Sequence, residues 1–529
     1  MGSGRERYLC RKLKPMKMKK LSNFLLTFGL ILPLLVLSAS TMAQKQIDEL
    51  KKEQDTLKEN VTTLRDKISG VEERVATAEG DLAKLTKIKL SGYIQAQYMH
   101  YEASNAYPDN VFMLRRARIK FQYEPINGVV FVIQPDFVPG NITVKDVYVQ
   151  LNDRWLKTFS LWAGKFNRPN YEVEYSSSNR EVPERSRVIR AIYPDERATG
   201  AKLEIAPPKI PLKIQLAVFN GNDGLTIPDA AGANINPLNN DFDNHKDFMG
   251  RVTYTFKLGK IGALGIGAHG YYGAIKANTT DVLNSDYTYN KTLDNIGKLV
   301  KKNWVGFEAQ LYFDFLGGLA LKGEYIFGVN GTPGYNSKTS VVSPMTSVLK
   351  NDTLTLTTLT TNTTNNRPAI EKSFSGYYVY LIKNIGKRHQ VAVRYDYYDP
   401  NSKVSSDQIG IAKWDAAIKT TTTNNFTYAG TDAVIATNAQ TKTVVVNNLK
   451  SGTSDIKYQT ISLAYTYFFD DNIKIMLGYE IPLNKKVGVN ASGVGNVTSS
   501  YAVNGEPGVY DYSQAIKQNT LTLRLQVKF

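Results

Sequence analysis

From Lys89 to Phe529 the sequence repeats with a period of two, in segments of roughly ten residues joined by links that alternate between short and long. The segments fall at about 88–102, 110–124, 128–137, 142–151, 158–166, 198–206, 211–219, 247–257, 262–276, 303–315, 318–329, 374–384, 388–399, 456–469, 472–481 and 519–529. After the even-numbered segments come turns: PING near 125–128, LNDRWLK near 151–157, APPKIP near 206–211, LGKIG near 258–262, LGG near 316–318, NIGKR near 384–388 and DD at 470–471. After the odd-numbered ones the links are mostly long, at 167–197, 220–246, 277–302, 330–373, 400–455 and 482–518. A soluble β-sandwich has no reason to sort its loops by parity, whereas an outer-membrane barrel does. The expected fold class is all-β, a transmembrane antiparallel β-barrel of about 16 strands. An even strand number returns the last strand to the side where the first began.

The faces of single segments support this reading. In the last one Leu521, Leu523, Leu525, Val527 and Phe529 alternate with Thr520, Thr522, Arg524, Gln526 and Lys528. Val391, Val393, Tyr395 and Tyr397 oppose Gln390, Arg394 and Asp396, and Ile473, Ile475, Leu477, Tyr479 and Ile481 oppose Lys474 and Glu480. A charge at the lipid midplane costs roughly 2–4 kcal/mol, so the charged series must face a polar lumen. About sixteen strands leave room for an aqueous channel. Tyr98, Tyr101, Phe219, Phe327 and Phe468, near strand ends, are expected in the interfacial girdles. A mean hydropathy of -0.30 is too polar for a bundle of membrane helices.

Ahead of the barrel lie two other kinds of sequence. Residues 16–43 carry Lys17, Lys19 and Lys20, an apolar run from Phe24 to Leu37, and Thr41-Met42-Ala43, the pattern of a cleavable export signal. A permanent membrane anchor is the alternative, but the run is short for a span. We therefore expect a signal peptide with an upstream extension over 1–43. The single Cys10 precedes the apolar run and leaves with it, so the mature chain has no disulfide, cysteine nucleophile or thiolate metal site. Residues 44–88 place apolar residues at Ile47, Leu50, Leu57, Val61, Leu64, Ile68, Val71, Val75, Ala78, Leu82 and Leu85, with Gln54 in the remaining core position. Alternating spacings of four and three with charged flanks specify an α-helical coiled coil, against the plainer possibility of one helix packed on another protein.

Charge narrows the partners. Residues 1–43 hold 8 Lys+Arg and 1 Asp+Glu of the chain's 65 and 48, leaving 57 and 47, or +10, for the mature chain. Residues 44–89 balance at 10 of each, so the excess lies in 90–529. An exported chain does not meet nucleic acid; lipopolysaccharide and small anionic solutes are the expected partners.

At this point the residues resemble a known family, the phosphate-selective porins O and P. The likeness lies in LSGYIQAQY after the prefix, FMLRRARIKFQYE, LWAGKFNRPNYEVEYSSSNREVPERS, DERATGAKLE and the terminal LRLQVKF. It runs in order from about 90 to 529, except that loops 330–373 and 400–455 match nothing in it. The resemblance implies an outer-membrane porin, a homotrimer, anion transport that includes phosphate, and a third long loop folded into the pore. Phe529 after alternating apolar residues resembles the tail read by barrel-assembly machinery.

The residues expected to bind solute are Arg116, Arg118 and Lys120, alternating on one strand, with Arg185 and Arg187 from loop 167–197 and Arg524 from the last strand. Two-residue steps rise about 6–7 Å, so such cations make a ladder along the wall that relays anions. The alternative is that they pair with Asp136 or Asp146. The loop carries Arg168, Arg180, Arg185, Arg187, Arg190 and Arg197 against Glu172, Glu174, Glu181, Glu184, Asp195 and Glu196, which implies a salt-bridged, ordered loop, in the pore or as a surface flap. Residues 351–366, rich in Thr and Asn, suit an exposed loop or a strand extension.

The expected function is a passive, water-filled channel with mild anion preference. A general-diffusion or sugar-selective porin is the alternative, since Tyr93, Tyr148 and Tyr312 fall on the lumen faces. A hydrolase is weaker: His100, His245, His269 and His389 come with no G-x-S-x-G and no H-E-x-x-H, and histidines so placed usually face solvent. No cofactor or metal is expected.

Overall fold

The computed structural model describes residues 31–85, 87–102, 110–138, 141–169, 173–193, 196–221, 227–228, 234–235, 245–293, 297–314, 317–345, 356–405, 418–429, 434–446, 455–483, 497–503, 506–510 and 519–529. Most of the expected signal, 1–30, and Glu172 and Asp195 of the loop lie outside them. The chain divides into two units, Met1–Leu85 and Thr86–Phe529.

The described residues of the first unit form one helix, α1 (Ile31–Leu85). It runs through the Ala43–Gln44 boundary without a break. Its heptad residues Ile47, Leu50, Leu57, Val61, Leu64, Ile68, Val71 and Val75 are all exposed. A stripe of that kind is what a helix presents to partner helices. Leu82 and Leu85 lie outside the residues whose side chains are described.

The second unit is a closed barrel. Its strands are β1 (Ile88–Tyr101), β2 (Asn110–Ile126), β3 (Val129–Val138), β4 (Asn141–Asn152), β5 (Phe159–Asn167), β6 (Arg197–Ile205), β7 (Leu212–Phe219) and β8 (Asp247–Lys257). They continue as β9 (Gly262–Lys276), β10 (Leu299–Phe313), β11 (Leu319–Thr332), β12 (Ala369–Ile385), β13 (His389–Asp399), β14 (Tyr458–Phe468), β15 (Ile473–Pro482) and β16 (Thr520–Lys528). Each pairs antiparallel with its sequence neighbours, and β16 closes on β1 from Tyr93↔Lys528 to Tyr101↔Thr520. At the seam Gly92 and Phe529 exchange backbone hydrogen bonds of 3.0 and 3.1 Å. A Cβ at Gly92 would stand 2.5 Å from the Phe529 ring and 2.3 Å from the Arg118 carbonyl, so the seam requires glycine.

Turns and loops sort by parity as expected, with turns and both barrel termini at one end. The tightest turn, Asn127-Gly128, uses the positive φ of Gly128 (86°). The alternation of faces also holds. Leu523, Leu525 and Val527 are exposed on the outer wall, while Thr520, Thr522, Arg524 and Gln526 are buried inside. The girdle expectation holds for Tyr98, packed against the exposed Phe112, and for Phe327. It fails for Tyr101 and Phe219, which point inward and are buried.

Beyond the sixteen staves, the described residues form a hairpin, a four-stranded sheet and two short ribbons, Ile227–Pro228 with Asn234–Ile235 and Val497–Val503 with Glu506–Tyr510. Strands Asp281–Leu283 and Tyr289–Thr292 form a hairpin whose first strand pairs parallel with Ala369 and Ile370 of β12. Tyr335–Met345, Leu356–Arg367, Ile418–Ala429 and Val434–Val446 form a separate four-stranded antiparallel sheet. The described part of the Thr/Asn-rich stretch is therefore a strand.

Candidate functional site

The segment between β5 and β6 crosses the inside of the barrel. Its helix α2 (Arg187–Ile192) buries Val188, Ile189 and Ile192 in an apolar core with Trp304, Phe374, Tyr378 and Tyr380 from the inner wall. Glycines make room: a Cβ at Gly376 would stand 2.6 Å from Val188, and one at Gly478 2.3 Å from Pro183. The Trp304 indole donates to the Tyr193 hydroxyl at 2.8 Å, and Lys322 pairs with Glu181 at 2.7 Å. An apolar filling thus occupies one side of the lumen.

Glu174 is the main tether. Its carboxylate accepts from Ser186 N and Oγ, both at 2.8 Å, from Tyr380 Oη, and from Arg394 Nη1 at 3.1 Å. Arg394 also pairs with Asp396 at 3.0 Å and donates to Ser462 Oγ at 3.0 Å. Glu174 and Arg394 are fully buried, so each charge depends on the other.

Held there, the stretch 176–185 faces β16, β1 and β2. The register sets three levels along that wall: Lys528–Tyr93–Arg118, then Gln526–Gln95–Arg116, then Arg524–Gln97–Met113. Tyr93 Oη and Ser177 Oγ lie 2.5 Å apart, Arg118 donates to Ser177 Oγ at 3.1 Å, and Gln526 donates to the Ser178 carbonyl at 3.0 Å. These side chains form a septum between two cavities. The cavity toward the loops, about 280 Å³, is lined by Gln97, Arg115, Glu184, Glu480 and Thr522. The cavity toward the turns, about 560 Å³, is lined by Tyr93, Arg118, Lys120, Tyr148, Trp162 and Lys528.

A β-bulge enriches the septum in cations. Gln95 pairs with Arg116 but Ala96 pairs with Leu114, so Arg115 is the extra residue and it turns inward with Arg116. Arg115 binds Glu184 through two hydrogen bonds of 3.0 Å. Arg524 reaches the same carboxylate at 2.8 Å, and Arg180 lies 4.0 Å from it. Burial raises the Glu184 carboxyl, but Arg115 and Arg524 outweigh it and hold it well below the usual carboxylate range. The buried Arg180 makes no hydrogen bond from any guanidinium nitrogen. Burial, then the charge of Arg185, pushes it down to about 10.

The expected site residues divide into two groups. Arg116, Arg118, Lys120 and Arg524 meet at this wall. Arg118 is paired with Asp136 at 2.7 Å, which realises the alternative for that residue, whereas Asp146 pairs with Arg197 instead. Arg116 donates to Gln95 Oε1 at 2.9 Å and has no carboxylate partner among the described residues. Lys120 lines the larger cavity without a charged partner among them. Arg185 and Arg187 are elsewhere. Arg185 binds Glu196 and the carbonyls of Glu174 and Tyr175, and Arg187 lies over the Tyr458 ring at 4.3 Å; neither lines these two cavities. Arg115, Arg180 and the Glu174–Arg394 tether escape sequence reasoning. The Arg115-Arg116 doublet in a strand was the available signal, since a regular pleat sends one of two neighbours to lipid.

The tyrosines raised for sugar binding are also inside. Tyr148 stacks on Trp162 with centroids 4.5 Å apart, and Tyr312 lies 5.4 Å from the Lys322 ammonium. His269 departs from the expectation of solvent exposure: it is buried 3.6 Å from Glu324. No group of three or more His, Cys, Asp or Glu able to hold a metal occurs among the described residues.

Residues 88–317 match the family described as phosphate-selective porin O and P. That match lies within the barrel and covers less than half of the chain. The family and the closed barrel point to the outer membrane, and to a channel rather than an enzyme. Among solved structures the chain is similar to an anion-selective porin from Comamonas acidovorans, with 11% identity, TM-score 0.45, and 84% of this chain and 99% of that chain covered. It is similar to OmpF of Salmonella typhi in complex with daunomycin, with 11% identity, TM-score 0.44, and 84% and 97% covered. A third is the outer-membrane channel DcaP of Acinetobacter baumannii, with 10% identity, TM-score 0.43, and 84% and 97% covered. These likenesses are too distant to carry properties across. No curated protein matches the chain.

Losing the tether should free the inward loop. Removing one partner of a buried ion pair costs roughly 3–5 kcal/mol. Glu174→Gln should therefore leave a heat-modifiable barrel whose 168–196 segment becomes protease-sensitive and whose single-channel conductance becomes larger and noisier. Unchanged cleavage and conductance would show that the apolar packing of α2 holds the loop alone.

Proposed function

We propose that the protein is a passive outer-membrane channel for small solutes with a mild preference for anions, and that the hydrogen-bonded septum between segment 176–185 and strands β16, β1 and β2 is its constriction. One observation carries this reading: five arginines gather there around two carboxylates, Arg115, Arg180 and Arg524 on Glu184 and Arg118 on Asp136, while Arg116 is held by Gln95 alone. Fixed positive charge in a narrow, partly dehydrated passage lowers the cost of an anion and raises that of a cation. Paired acids dilute the field, so the expected property is a permeability ratio rather than exclusion of cations. Phosphate, which the family description names, is one of the anions this charge suits. A sugar-selective channel is the second reading, favoured by the Tyr148–Trp162 stack in the larger cavity.

Export would remove residues 1–43, Phe529 would serve in barrel assembly, and lipopolysaccharide would surround the outer rim. The exposed heptad stripe of α1 supports a homotrimer in which three copies of 44–88 form a periplasmic coiled coil.

Two experiments test these readings. Replacing Arg116, Arg118 and Lys120 with Gln should preserve heat-modifiable migration and move the bilayer reversal potential in a salt gradient toward cation preference. No shift would make the ladder structural and favour the sugar or general-diffusion reading. Deleting 46–87 should lower the melting temperature of the trimer; an unchanged trimer would assign the helix another partner.

A further inference from the structure

The turn end of the barrel carries a second recurring pattern, unrelated to the pore. Between β4 and β5, Trp155 is 89% exposed and Leu156 is exposed beside it, flanked by the exposed Arg154 and Lys157. Between β6 and β7 the exposed pair is Ile210 with Lys209; between β8 and β9 it is Ile261 with Lys260. At the end of β12 it is Ile385, with Lys387 and Arg388 in the turn to β13. None of these six cations has an acidic partner among the described residues. The acid in the first turn, Asp153, is spent locally: it accepts from the backbone N–H of Trp155 at 2.9 Å, of Leu156 at 3.1 Å and of Thr158 at 3.4 Å. That bonding holds the Trp-Leu tip in one presentation, with Lys157 at a φ of 52°.

We propose that these four turns form a collar that binds the anionic phospholipid headgroups of the leaflet at the turn end. The apolar tips continue the lipid-facing wall, where Leu151 and Phe159 flank the first turn, Phe256 lies near Ile261, and Leu381 near Ile385. Side chains with an apolar body beside a cation are suited to the depth where acyl chains meet phosphates. An acidic soluble partner would satisfy the cations but leave the apolar tips facing water. The turns at 314–318 and 469–472 carry Asp314, Asp470 and Asp471 instead, so the collar is incomplete and biases which lipids gather along part of the rim.

The test uses the full chain in bilayers of phosphatidylglycerol and phosphatidylethanolamine, with brominated acyl chains on one lipid at a time. The Trp155 emission is obtained as the difference between wild type and W155F. Brominated phosphatidylglycerol should quench it roughly two- to fivefold more than its share of the bilayer predicts. Changing Arg154, Lys157, Lys209, Lys260, Lys387 and Arg388 to Gln should abolish that preference, leave quenching by brominated phosphatidylethanolamine, and keep the reversal potential unchanged. Quenching in proportion to composition in the wild type would overturn the proposal. So would quenching by aqueous iodide and by neither lipid, which would favour a soluble acidic partner. Because the central measurement is made on wild type, a variant that fails to fold does not rescue the proposal.

Discussion

The buried pair of Glu174 and Arg394 sets the geometry inside this barrel. A barrel of sixteen strands is wide, and an empty lumen would leave its inner arginines dispersed in water, where screening weakens them. With Glu174 fixed on Arg394, Ser186 and Tyr380, the chain between β5 and β6 must cross the lumen. The apolar face of α2 then fills one side, and segment 176–185 is pressed toward the other. The direct contact between that segment and the β16–β1–β2 wall follows from this arrangement.

Charge at the septum follows from a local irregularity in β2. A regular strand would show the lumen Arg116 and Arg118 and hide Arg115; the bulge brings all three inside. Glu184 then meets Arg115, Arg180 and Arg524 together, and a single carboxylate cannot neutralise them. Burial opposes its charge, but Arg115 and Arg524 hold its carboxyl well below the usual carboxylate range. The wall and the loop therefore depend on each other. Without the loop the wall arginines would be solvated, and without the wall Glu184 would lose Arg115 and Arg524.

Much of the fold was legible because its causes are local. The two-residue period, the turn chemistry and the loop parity each depend on neighbours in sequence, so the sixteen strands and their faces could be read directly. Tyr101 and Phe219 were misassigned to the girdles because position near a strand end says nothing about which face a residue occupies. The site was legible in part. Arg116, Arg118, Lys120 and Arg524 follow from alternation, but Arg185 and Arg187 lie in an irregular segment where no period says what they touch. The Glu174–Arg394 contact joins residues 220 positions apart, and only the closed barrel brings them together. The bulge at Arg115 depends on register, which the doublet hinted at without fixing.

The central claim is that segment 176–185 lies against the β16–β1–β2 wall and that the proposed solute path crosses this septum when its side chains part. Ser178 and Gln526, joined by a 3.0 Å hydrogen bond, span that septum. The most direct measurement places cysteines at both positions, with Cys10 replaced, and records single channels before and after a short bis-thiol crosslinker. The account predicts an efficient crosslink and a fall in conductance that persists until the linker is cleaved. Two accessible cysteines that fail to crosslink, or a crosslink that leaves conductance unchanged, would contradict it.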